Sequence, residues 1–101
     1  MRRHRGSKDK NHDELSQAFV ALGCSVSDMA TCGVEDFPDV VVGCIGKNYL
    51  VEYKNPATAY GRQGLNAGQQ RFARDWRGGK VWVASSTDEC AALVANWRRN
   101  T

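Results

Sequence analysis

Leu15, Ala18, Phe19 and Leu22 recur at i, i+3, i+4 and i+7, the stripe of one helix face. They predict a helix from about Asp13 to Leu22, with Asn11 placed to cap it and Gly23 to stop it. Cys24 to Met29 reads as a strand. After the polar stretch Thr31 to Asp36, Phe37-Pro38-Asp39-Val40-Val41-Val42 reads as a strand rich in β-branched residues. Gly43 to Gly46 supplies a turn, and Asn48 to Lys54 the returning strand. Asn55 to Gly64, with Pro56 and Gly61, is a loop. A second helix is expected over Asn66 to Trp76, with Leu65, Phe72, Ala73 and Trp76 toward the core and Gly78-Gly79 ending it. Lys80 to Ala84 is a short strand. Ser86 to Glu89 has capping-box spacing, and Cys90, Leu93, Val94 and Trp97 mark a third helix. The order α-β-β-β-α-β-α predicts an α/β fold with a mixed central sheet flanked by helices.

Composition narrows the class. The 101 residues suit one domain, and 42% apolar with 25% charged residues is ordinary for a globular chain. No apolar run approaches the ~20 residues of a membrane helix, so no membrane association is expected. The basic opening Met1-Arg2-Arg3-His4-Arg5 is followed by no apolar stretch, so no signal peptide is expected and the cytoplasm is the expected location. Residues 1–10 carry a net +4 (five Lys or Arg against Asp9) while the whole chain carries +3. The basic character therefore belongs to an N-terminal arm, residues 1–12, ahead of a single domain at 13–101. Such an arm suits phosphate backbones or simply a solvated terminus. Cys24, Cys32, Cys44 and Cys90 form no C-x-x-C pair and have no His at zinc-finger spacing, so free thiols in a reducing compartment are expected.

Most catalytic motifs are excluded. Gly46-Lys47 and Gly79-Lys80 lack the rest of a P-loop, there is no G-x-G-x-x-G, and His4 and His12 stand too near the N-terminus to serve a Ser or Cys nucleophile. What remains is a set of charged residues on adjoining strands. Glu52 and Lys54 are two apart and share a face. If the hairpin is centred between Ile45 and Gly46, Asp39 lies opposite Glu52. A one-residue shift of that centre puts it opposite Lys54, and a half-residue shift scatters the group. Two close carboxylates repel unless a cation intervenes, and a hard divalent ion suits oxygen ligands of this kind. Lys54 beside it would orient water and stabilise phosphate charge. The plainer alternative is a solvated strand whose Glu52 and Lys54 pair on the surface.

Pro38-Asp39, twelve intervening residues and Glu52-Tyr53-Lys54 resemble the PD-(D/E)XK signature of restriction-endonuclease-like nucleases. Within that superfamily the chain most resembles the virus-type replication-repair nuclease domain, VRR-NUC, over residues 13 to about 95. Leu65-Asn66-Ala67-Gly68-Gln69 is similar to the family's Leu-x-x-x-Gln opening of the second helix. The resemblance implies a restriction-endonuclease-like core and a role for each matching residue. Asp39 and Glu52 would ligate Mg²⁺ or Mn²⁺, Tyr53 would add its backbone carbonyl, and Lys54 would act on the attacking water. Gln69 would support the site from the helix N-terminus, although it also stands at capping-box spacing from Asn66. Glu14 matches the family's first-helix acid, and its alternative is a capping box with Asn11.

DNA is the implied partner, which Arg2, Arg3 and Arg5 of the arm could contact; Arg71 and Arg74 of the second helix could hold phosphates as a helical row, although such a row is more often a solvated face. Arg98 and Arg99 suit the dipole of the third helix. The expected function is metal-dependent hydrolysis of DNA phosphodiesters by an endonuclease acting on branched, flap or junction DNA in phage or mobile-element DNA processing. One site per chain and two strands to cut imply a homodimer. The alternative is a DNA-binding module that kept the fold and cuts nothing.

Overall fold

The computed structural model describes residues 6–100. Its elements are α1 (Gly6–Ala21), β1 (Ser25–Asp28), β2 (Val40–Cys44), β3 (Lys47–Tyr53), α2 (Ala59–Arg62), α3 (Ala67–Asp75), β4 (Val81–Ala84) and α4 (Thr87–Arg99). This is the expected order with a one-turn helix, α2, added in the loop after β3. The strands form a single sheet in the order β1-β2-β3-β4; the first three are antiparallel and β4 runs parallel to β3. The sheet is mixed, as expected.

The first helix departs from expectation. It begins at Gly6 instead of near Asp13, so Asn11 lies inside it and caps nothing. Residues 6–12 carry no apolar stripe, which is why the hydrophobic pattern assigns them to the arm. The Asn11 amide instead donates to the Lys54 carbonyl at 3.3 Å, tying α1 to the end of β3. Arg2, Arg3 and Arg5 lie outside the described residues.

One face of the sheet holds the core. Val40, Val42 and Cys44 of β2, Val51 and Tyr53 of β3 and Ala84 of β4 point at Leu15 and Phe19 of α1 and at Cys90, Val94 and Trp97 of α4; all are buried. Fully burying a Val, Leu or Phe side chain stabilises by about 1.5–3 kcal/mol. Trp97 is the hub. Its ring stacks on Tyr49 at 3.9 Å and on Phe19 at 5.8 Å, and meets Trp82 edge-on at 5.9 Å. Gly23, at φ 93°, turns the chain after α1, and Arg98 of α4 donates to the Leu22 carbonyl at 2.6 Å. Arg98 thus closes α1 as well as standing in the last turn of its own helix.

The β2–β3 turn sets the register. Ile45 and Gly46 sit at φ 52° and 77°, the pair of left-handed residues that a two-residue hairpin turn requires. Pairing runs from Cys44↔Lys47 to Val40↔Val51, so the hairpin is centred between Ile45 and Gly46. A β-branched residue there is unusual, and the left-handed region costs an L-residue roughly 1–2 kcal/mol.

The second long helix does not enter the core. No residue of α3 is buried, and Trp76 at its C-cap is 43% exposed. With α1 and α4 covering the core face, α3 packs at the other face. There Phe72 and Trp76 meet each other at 5.2 Å and Phe37 at 5.4 and 6.1 Å, making a separate aromatic cluster.

Cys24, Cys44 and Cys90 are buried and Cys32 is exposed, and all four are free thiols. Burial, then the adjacent Cys44 thiol, pushes Cys24 up to about 11, and burial pushes Cys90 up to about 11. A disulfide reagent at pH 8 is therefore expected to modify one thiol quickly and the other three only on unfolding. Four equally fast thiols would contradict this packing.

Candidate active site

Glu52 and Lys54 project from β3 on the face opposite the core, because side chains alternate along a strand and Val51 and Tyr53 occupy the core face. They are nonetheless buried, each only 5% exposed. Charged residues are almost never this enclosed unless paired. The Lys54 Nζ lies 3.9 Å from Glu52 Oε2, and Gln69 joins the two. Its Nε2 donates to Glu52 Oε2 at 2.8 Å, and its Oε1 accepts from Lys54 Nζ at 2.8 Å.

Gln69 is also the N3 residue of α3. Its main-chain N–H donates to Asn66 Oδ1 at 2.9 Å and its Oε1 accepts from the Asn66 N–H at 3.0 Å. The capping box is therefore formed, and the same side chain bridges the charged pair.

Asp39 sits in the bend just before β2. The expected strand over 37–42 starts later, at Val40, because Pro38 has no N–H for a ladder and the carboxylate replaces a strand partner. Asp39 Oδ2 accepts from the Tyr53 N–H at 2.8 Å, while its carbonyl accepts from Met29 N–H at 2.9 Å. Extending the register one step past Val40↔Val51 puts Asp39 opposite Glu52, the first of the two registers considered. Directly opposed residues have Cβ atoms about 4.5–5.5 Å apart.

Tyr53 turns its side chain away. The ring packs between His12 at 5.2 Å and Phe19 at 6.5 Å, and its hydroxyl bonds Ser16 Oγ at 3.0 Å. Burial pushes the phenol up to about 12, so it stays neutral. Only the main chain of Tyr53 lies at the charged face.

With both carboxylates ionised, Asp39, Glu52 and Lys54 sum to one net negative charge. Carboxylate and carbonyl oxygens on adjoining strands are the donor chemistry of Mg²⁺ or Mn²⁺, and a divalent ion would turn that net charge from −1 to +1. Asp39, Glu52 and the Tyr53 carbonyl are the residues that fit such an ion. Glu14 is exposed on α1, and its capping alternative lapses because Asn11 is interior to the helix. Among the described residues no three His, Cys, Asp or Glu side chains gather closely enough to hold an ion, so Glu14 does not join the two strand carboxylates here.

The helical arginines divide. Arg74 is exposed and paired with its neighbour Asp75 at 2.8 Å, which offsets its charge. Arg71 lines a cleft of about 380 Å³ together with Glu35, Asp36, Phe72, Asp75 and Trp76, so it shares that cleft with three carboxylates. A plain basic row for phosphates is not what α3 presents. Asn11, read from the sequence as a helix cap, instead holds the Lys54 carbonyl, and Ser16, which fixes Tyr53, is not singled out by the sequence pattern. Each follows from long-range packing of α1 on β3.

No protein-family model matches the chain, and no curated protein matches it. It is similar to a solved structure described as a VRR_NUC domain, with 24% identity and a TM-score of 0.67, over 88% of this chain and 95% of that one. The chain has a VRR-NUC-like, restriction-endonuclease-like α/β fold.

Proposed function

We propose that this protein is a Mg²⁺- or Mn²⁺-dependent DNA nuclease that hydrolyses phosphodiester bonds with Asp39, Glu52, Lys54 and Gln69. The observation that carries this is the enclosed pair Glu52 and Lys54, bridged by Gln69 and set beside Asp39, on a VRR-NUC-like fold. Burying a carboxylate and an ammonium together is costly, and a structural surface pair would not need it.

Asp39, Glu52 and the Tyr53 carbonyl would hold the ion, which when bound supplies Lewis-acid polarisation of the phosphate and lowers the pKa of water. The Tyr53 N–H and the Met29 pairing fix Asp39 from two sides. Gln69 Oε1 aims the Lys54 ammonium, which orients the attacking water and stabilises charge developing on the phosphate oxygens. Endonucleolytic action on branched, flap or junction DNA is part of the proposal, and the sequence resemblance supports it.

The test is cleavage of supercoiled plasmid, hairpin, flap and four-way-junction DNA, with Mg²⁺ or Mn²⁺ and with chelator. Wild type is expected to cut only with metal and to melt higher with it, since a ligand that binds only the native state stabilises it. Asp39→Asn keeps an acceptor for the Tyr53 N–H, so it should fold while losing both effects. No cleavage of any substrate and a melting temperature indifferent to metal would refute the nuclease.

A further inference from the structure

Trp76 separates two clefts of opposite character. One is the carboxylate-lined cleft that holds Arg71. The other, of about 390 Å³, is bounded by Lys47, Asn48, Leu50, Trp76, Lys80 and Trp82 and has no acidic side chain among the described residues of its wall. The sequence places Lys47 and Lys80 thirty-three positions apart; the parallel pairing of Leu50 with Val81 brings them together. Lys80 Nζ lies over the Trp82 ring at 4.3 Å. Trp76 presents much of its indole to solvent while Phe72 backs it from behind at 5.2 Å, nearly parallel.

We propose that this cleft binds an unpaired nucleotide of single-stranded DNA, the base stacked on Trp76 and its phosphate held by Lys47 and Lys80. Supported aromatic faces beside flexible cations are what binders of single strands use, because every base offers a π-face and every nucleotide a phosphate. An apolar partner without an anion would leave both lysines without a counter-charge, and an acidic protein would leave the indole face without a flat counterpart. A cleft of this size lies within the range of small-ligand sites.

The position is also informative. From Gln69 to Trp76, α3 advances about 10 Å, or about three stacked nucleotides at ~3.4 Å each. A strand whose phosphate lies at Asp39 and Glu52 thus reaches the cleft a few nucleotides away. This geometric link rests on the nuclease reading; the binding of a single strand does not.

The experiment uses the full chain in chelator, so that no cleavage intervenes, with fluorescein-labelled oligothymidylate of about a dozen nucleotides and a blunt duplex of equal length. Trp76→Ala is expected to weaken oligothymidylate binding roughly tenfold. Lys47→Ala/Lys80→Ala should reduce the slope of log affinity against log salt by about 0.7 per lysine. Both should affect the duplex less. Trp76→Phe, which keeps the packing on Phe72, should retain most of the affinity and guards against a local collapse in the alanine variant. Wild-type affinity and slope in both the tryptophan and the lysine variants would overturn the proposal, as would equal losses on duplex and single strand. Trp76-dependent binding by a protein that cuts nothing would uphold this inference and count against the nuclease alone.

Discussion

Lys54→Met is expected to destabilise the metal-free protein by about 3 kcal/mol, the lower end for stranding a buried charge. The methionine fills the space of the lysine stem but leaves Glu52, only 5% exposed, without the cation 3.9 Å away. At roughly 4–8 °C per kcal/mol for a domain of this size, the melting temperature should fall by at least about 12 °C. The proposed ion at Asp39 and Glu52 would act in the opposite direction by supplying the missing positive charge, so the variant should gain more from Mg²⁺ than wild type does. Cleavage should nonetheless drop by at least about 100-fold, the scale for losing one charge-stabilising group. Melting curves with and without Mg²⁺, read beside the cleavage assay, check all three effects. A variant as stable as wild type in chelator would show that the pair is not held as tightly as its burial indicates.

Trp97→Ala should cost about 3–5 kcal/mol, since it removes the ring on which Phe19, Tyr49 and Trp82 converge and leaves a cavity between α4 and the sheet. Against the 5–15 kcal/mol that holds a typical domain together, that is a large share. Trp97→Phe makes the contrast. It keeps an aromatic face for Tyr49, and it removes an indole N–H that is buried without an acceptor among the described residues, a group whose burial costs about 1–3 kcal/mol. The phenylalanine variant should therefore lose less than half of what the alanine variant loses. Urea unfolding followed by circular dichroism gives both values, and equal losses would mean the indole ring size matters more than its stacking.

How legible this was depends on range along the chain. Residues 39–54 confined the β2–β3 hairpin to a few registers because its turn is local, and the left-handed pair Ile45-Gly46 selects the one that puts Asp39 across from Glu52. Gln69 was legible for the same reason, its cap partner Asn66 being three residues away. The role of Asn11 was not, because residues 6–12 have no amphipathic stripe to extend the helix, so Asn11 reads as its cap. Trp76 was expected in the core from its spacing with Phe72 and Ala73. Nothing local could reveal that α1 and α4 would occupy the core face first. Lys47 and Lys80 stood out in the sequence only as failed P-loop fragments, and a parallel strand pairing gave them a shared place.

Helix α3 has a consequence for how the site behaves in time. None of its residues is buried, so it is held by its cap, by the Gln69 bonds to Glu52 and Lys54 and by the aromatic cluster. Such segments open locally at a lower free energy than the rest of a domain. When the first turn of α3 frays, the Asn66–Gln69 box and the bridge between Glu52 and Lys54 dissolve in the same event. The fraction of molecules with an aligned lysine then equals the fraction with α3 closed. Amide exchange at Gln69 and Gln70, an equilibrium quantity measured without any substrate, would set a ceiling on how much of the protein is poised to react.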